Sequence, residues 1–153
     1  IHTLLDGAID DPEVNIRFLK KAARSLDRLC DLVEDLITIS QMETGELKME
    51  LEKFDIHALV KDVFESMEMK AQDKNITFAF KEGCDQPFYV FGDRYRIRQV
   101  LVNLIVNSIK YGRESGKTLV SFYDMDENIL VEVADNGEGI AEEHLPRLFE
   151  RFY

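Results

Sequence analysis

Between Asp93 and Tyr111 the chain reads DRYRIRQVLVNLIVNSIKY, with apolar residues crowding most of a helical cross-section and polar ones confined to a narrow arc. At about 100° per residue, Leu101, Val102, Leu104, Ile105, Val106, Ser108 and Ile109 span well over half the circumference. Arg96, Asn103, Asn107, Lys110 and Tyr111 fill the rest. The pattern predicts a largely buried helix carrying a polar stripe. Its two amides at i and i+4, with a lysine and an aromatic on the next turn, lie within reach of one ligand. Burying an unpartnered amide costs roughly 2–7 kcal/mol, so the stripe must face a polar neighbour, water or a bound molecule. Backbone or solvent alone would satisfy two asparagines equally well.

Upstream, from Pro12 to about Thr44, Leu19, Leu26 and Val33 recur at seven-residue spacing, with Ala22 or Ala23, Leu29 and Leu36 interleaved. That seam suits a coiled coil or a four-helix bundle. A lone helix cannot bury it, so a partner is expected: the helix whose last turn is Ile1–Leu5, closed by Gly7 and the DGAIDDP turn, or a second chain. Asp11 then Pro12 reads as cap and first-turn proline. Lys20, Lys21, Arg24, Asp27, Arg28, Asp31, Glu34 and Asp35 form a solvated face.

Gly45 ends this helix, and MELEKFD leads out as an extended connector. Asp55 caps a second amphipathic helix, about Ile56–Asp73, with Leu59, Val60, Val63, Phe64 and Met67 inward. Ile76, Phe78 and Phe80 alternate as a strand, and Phe88–Phe91 make another. Beyond the polar-striped helix come strands at Thr118–Tyr123 and Ile129–Ala134, joined by DMDEN as a hairpin. The expected class is α+β, with helices on one face of mainly antiparallel strands.

The 153 residues, 45% hydrophobic, suffice for one modest domain and an accessory segment. A net charge of −11 without a basic cluster argues against sequence-independent binding to nucleic acid or anionic membrane. Cys30 and Cys84 have no metal-type spacing, and reduced thiols are the default. No apolar run reaches the ~18 residues of a membrane span. His2 lacks an adjacent acid and is expected as a surface or helix-end residue, and His57, in the first turn of its helix, as a surface residue rather than a ligand. Ile1 opens in mid-pattern, so a piece of a longer chain is expected.

After the last strand comes Asp135-Asn136-Gly137-Glu138-Gly139-Ile140. An aspartate at a strand end beside alternate glycines offers a carboxylate acceptor next to backbone that a flat ligand can approach closely, such as a ring with an exocyclic amine. An ordinary acidic turn has the same letters. Joined to N-L-x-x-N-x-x-K-Y about two dozen residues earlier, the pair is a stronger signal.

These segments resemble those of sensor histidine kinases. NLIVNSIKY is similar to the family's asparagine box, DNGEGI to its first glycine box and LFERFY to its phenylalanine box. The Gly92–Leu101 run, and a helix ending in ISQMETGEL like the second helix of the dimerisation and phosphotransfer domain, extend the resemblance over nearly the whole chain. It implies dimerisation and phosphotransfer helices over residues 1–53, the first truncated. Residues 54–153 would be an incomplete Bergerat-type α/β sandwich, the ATP-binding fold shared with gyrase, the ninety-kilodalton chaperone and the mismatch-repair ATPases.

By the same resemblance, Asn107 coordinates Mg²⁺ through its side-chain oxygen with Asn103 close to metal and phosphates. Neutral amide oxygens suit a hard cation already bound to triphosphate. Lys110 neutralises phosphate charge, Tyr111 packs near adenine, Asp135 accepts from its amine, and Gly137, Gly139 and Ile140 shape the wall. Phe149 and Phe152 belong to the segment that hinges a lid, or are ordinary core aromatics at a helix end. An amide at Asn103, where the ATPase branches carry a glutamate, cannot be a general base for water. Transfer to a histidine is favoured, with the phosphoryl group passing on to a response regulator.

The expected partners are a second copy through the heptad helix and a receiver domain, in a cytoplasmic part of an inner-membrane protein. No H-E-L-R-T-P-like acceptor box is present, His2 lacks its flanking residues, and no residue is assigned a catalytic role. The chain by itself is expected to be inactive. A Bergerat-type ATPase and a non-enzymatic dimerisation module are the competing readings.

Overall fold

The computed structural model describes residues 12–148. The expected helix turn at Ile1–Leu5, His2, the Gly7 stop, the Asp11 cap and the aromatic pair Phe149 and Phe152 lie outside the described residues. The chain divides into two compact units, 1–48 and 49–153.

In the first unit, α1 (Pro12–Thr44) is one continuous helix. Gly45, at φ 71°, takes the left-handed position that closes it, and the N–H groups of Glu46 and Leu47 return to the Gln41 carbonyl at 3.0 and 3.1 Å. The heptad residues Leu19, Leu26, Leu29, Val33 and Leu36 are each half or more exposed within the chain. The seam is therefore built but not covered.

The second unit contains β1 (Leu51–Asp55), α2 (Ile56–Gln72), β2 (Thr77–Phe80), β3 (Tyr89–Asp93), α3 (Arg94–Tyr111), β4 (Lys117–Met125), β5 (Asn128–Asp135) and a 3₁₀ turn, Glu142–Arg147. Strands β1 and β3 form an antiparallel ribbon, while β2, β4 and β5 form a separate sheet with β2 parallel to β4 and β5 antiparallel to it. The α+β class holds. The expected connector after Gly45 is instead a paired strand, because Leu51–Asp55 finds its ladder partners almost forty residues later in Tyr89–Asp93. Helices α2 and α3 bury Leu59, Val60, Val63, Leu101, Ile105 and Ile109 against Val120 and Phe122 of the sheet.

Two aspartates close the ribbon onto the helices. Asp55 ends β1 and caps α2: its Oδ1 accepts the His57 N–H and, across the ribbon, the Phe88 N–H, both at 3.0 Å. Asp93 ends β3 and caps α3: Oδ1 accepts the Arg96 N–H and Oδ2 the Glu50 N–H, again at 3.0 Å. Each carboxylate thus satisfies an otherwise unpaired helix-start donor and the donor preceding the opposite strand.

Two expectations change. His57 is not a surface residue: it is half-buried, its ring 4.2 Å from that of Phe80 and 6.1 Å from that of Phe122. Its place in the first turn of α2 points it over the sheet. Helix α3 is buried on one side only, through Leu101, Ile105, Ser108 and Ile109, while Leu104 is 44% and Val100 57% exposed. A single sheet covers one face of a helix, whatever the breadth of its apolar arc.

Backbone donors from Arg96 and Glu50 hold the Asp93 carboxyl below its ordinary value of 3.8. A depressed carboxylate stabilises the fold fully above its unfolded value, and the contribution is lost as pH falls through the lower folded value. The thermal midpoint of the chain should therefore drop on acidification below about pH 4. In Asp93→Asn, which keeps a capping oxygen, that acid limb should be shallower in a pH series of melts.

Candidate functional site

The polar stripe of α3 faces solvent: Asn103, Asn107, Lys110 and Tyr111 are all exposed. At its carboxyl end the Lys110 Nζ donates to the Tyr111 hydroxyl at 2.8 Å and lies 4.7 Å from the centre of that ring. The Lys110 carbonyl, left over by the end of the helix, accepts from Lys74 Nζ at 2.7 Å. A cation there also complements the helix dipole.

The second half of the site is the turn after β5. Asp135 Oδ1 accepts the Gly137 N–H at 2.8 Å, an Asx turn that folds the chain back at once. That turn lies directly against the end of α3. A Cβ placed on Gly137 would sit 2.5 Å from the Tyr111 carbonyl oxygen and 2.7 Å from Asp135 Oδ1. Glycine is required here by close approach. Gly139 needs it for its φ of 77°, and a Cβ there would meet nothing within 4 Å.

The fold thus brings Lys110, Tyr111, Asp135 and Gly137 to one place, with Asn107 one turn back on the same helix face. Asn103 is a further turn away. Gly139 and Ile140 continue the same turn beyond Gly137, Ile140 being 54% exposed. The exposed groups are two amide oxygens, an ammonium and a carboxylate whose second oxygen, Oδ2, makes no hydrogen bond among the described residues. Such a set can hold a polar ligand with an amine at one end and anionic oxygens at the other. No cluster of three or more His, Cys, Asp or Glu able to hold a metal occurs among the described residues.

Sequence reasoning missed three contributors. Lys74 carries no signal in the sequence that points to the site. Asn136, the unremarked letter of the glycine-rich turn, accepts the Lys117 N–H through Oδ1 at 2.8 Å and ties the turn to the start of β4. Ser108 was counted with the apolar arc, yet its hydroxyl lies 2.9 Å from that of Thr118 on β4. A serine in a run of Leu, Ile and Val was the available signal.

Residues 92–153 match the family of histidine kinase-, DNA gyrase B- and HSP90-like ATPases. The sensor protein SphS of Synechococcus elongatus is 33% identical over 98% of this chain and 35% of its own length. The Acinetobacter baumannii histidine kinase AdeS superposes with a TM-score of 0.80 at 31% identity, covering 97% of this chain and 73% of that one. The chain belongs to the sensor histidine kinase family. A further kinase structure, ThkA in complex with the response regulator protein TrrA, matches at TM-score 0.75 and 30% identity over 94% of this chain and 41% of that one. This histidine kinase chain spans only 24% and 35% of the first two curated relatives it matches.

Gly137→Ala should be destabilising by about 1–3 kcal/mol, because the new methyl must push the turn from the Tyr111 carbonyl. Urea unfolding measures it. Gly139→Ala, which meets no neighbour, should cost only the left-handed strain of about 1–2 kcal/mol.

Proposed function

We propose that this chain is the kinase core of a two-component sensor, in which the second unit, from residue 49 on, binds Mg-ATP and helix α1 of the first belongs to a dimerisation and phosphotransfer domain. The observation that carries the reading is the junction of Tyr111 with Gly137, which joins the amide-bearing helix to the Asp135 turn. Asp135 Oδ2 accepts from the adenine amine, and Tyr111 packs beside the ring, with Gly137, Gly139 and Ile140 as wall. Asn107 is a magnesium ligand through its amide oxygen, with Asn103 near metal and phosphates, and Lys110 offsets phosphate charge.

The donor set fits. Neutral amides suffice for a cation that triphosphate already chelates, and the exposed polar face of α3 leaves them accessible. Bound magnesium supplies charge neutralisation at the transferring phosphoryl group. The amide at Asn103 offers no general base for water, which favours transfer to a histidine over hydrolysis.

The receiver domain of a response regulator is the proposed onward acceptor, supported by the ThkA–TrrA complex. The open heptad seam of α1 supports a second copy as partner. A cytoplasmic position in an inner-membrane parent belongs to the same proposal. No helix among the described residues is long and apolar enough to cross a membrane.

Titration calorimetry with Mg-ATP tests the site. The parent chain should bind, Asn107→Ala should lose the magnesium-dependent part of the affinity, and Asp135→Asn should bind at least about tenfold more weakly, since a charged acceptor is worth roughly 1.5–3 kcal/mol. A parent chain that fails to bind, or an Asn107→Ala variant that binds like the parent, contradicts the assignment. For the seam, Leu26→Lys should shift a sedimenting dimer towards monomer.

A further inference from the structure

The two halves of the site stand on different elements, Asn107 on α3 and Asp135 on β5. One polar contact runs through the core between them. Ser108 Oγ and Thr118 Oγ1 are 2.9 Å apart, in residues only 3% and 0% exposed. Ser108 directly follows Asn107, and Thr118 is the register partner of Asp135, so their side chains share a face of the sheet. Ser108 Oγ also donates to the Ile105 carbonyl at 2.8 Å, which leaves Thr118 as the donor between the two hydroxyls.

Around the pair, α3 meets the sheet through apolar groups: Leu101, Ile105, Ile109, Val120 and Phe122. Apolar packing has no direction, and an alanine–valine pair would fill the space with little change in stability. What the hydroxyls add is a fixed distance and angle. They set where this turn of the helix lies along β4.

We propose that Ser108 and Thr118 are positioning residues for the nucleotide site, holding the amide of Asn107 at a set distance from the carboxylate of Asp135 so that one bound Mg-ATP engages both. The proposal rests on the ATP-binding reading above. Neither hydroxyl touches the nucleotide. Their effect passes through Asn107 on one side and through the β4–β5 ladder to Asp135 on the other.

The test compares the parent chain with the double variant Ser108→Ala/Thr118→Val, and with Thr118→Ser, which keeps the hydroxyl. Removing both hydroxyls leaves no buried donor unpaired, so the thermal midpoint of the double variant should stay within a few degrees of the parent. Its affinity for Mg-ATP should nonetheless fall roughly five- to tenfold, the worth of one hydrogen bond, whereas Thr118→Ser alone should keep the parental affinity. A purely structural pair would move midpoint and affinity together. A double variant that keeps both parental midpoint and affinity overturns the proposal, as does one whose affinity falls only in step with its midpoint.

Amide NMR without nucleotide gives a separate readout. In the double variant the resonances of Gly137 N–H and the Asn107 side-chain amide should shift, while those of the distant Gly83 stay in place. If the parent chain does not bind Mg-ATP, the nucleotide reading fails by itself and these shifts decide whether the pair positions the two halves. Unmoved resonances reject it.

Discussion

Everything in the second unit hangs on a reciprocal pair of carboxylates. Asp55 and Asp93 each end a ribbon strand, start a helix and take the donor that precedes the other's strand. Ordinary caps would fix only where a helix begins. These fix both helices to one ribbon, so α2 and α3 leave it with their directions tied. The apolar stripes of the two helices can then close over the sheet as one layer, and the stripe that carries Asn103, Asn107 and Lys110 is held outward. The outward direction of that stripe thus follows from two acids that do not belong to it.

Much of this was legible in the chain. Periodicity located the three α-helices of the described residues, the Gly45 stop and the β4–β5 hairpin within a few residues, because each is determined locally by apolar spacing, caps and turns. Ribbon strand β1 was read as a connector since its identity depends on Tyr89–Asp93, whose pairing no local pattern announces. For α3 the reverse error arose. Its apolar arc is wide enough for a fully buried helix, but Val100 and Leu104 flank the polar stripe and remain exposed. Sequence shows how many sides of a helix are apolar, and not how many sides the fold will cover.

At the site, the residue types in NLIVNSIKY and DNGEGI named the exposed chemistry, whereas the contacts that hold it were hidden. Ser108 reads as a filler among aliphatics until Thr118 appears opposite it. Asn136 reads as a turn former until its amide oxygen reaches Lys117. Lys74 is separated from the carbonyl it caps by 36 residues. Supporting groups of this kind are defined by tertiary proximity, which is why exposed motif residues are easier to find than the ones behind them.

The start of β4 is where those supports converge. Lys117 gives its N–H to Asn136, and Thr118 gives its hydroxyl to Ser108 while pairing with Asp135 across the ladder. Two consecutive residues therefore contact both the glycine-rich turn and the last turn of α3. Beneath these contacts the apolar core is packed by Leu101, Ile105, Val120 and Phe122. On the same strand, the aliphatic and aromatic residues further along β4 secure the layer, while its first two residues reach the end of α3 and the glycine-rich turn.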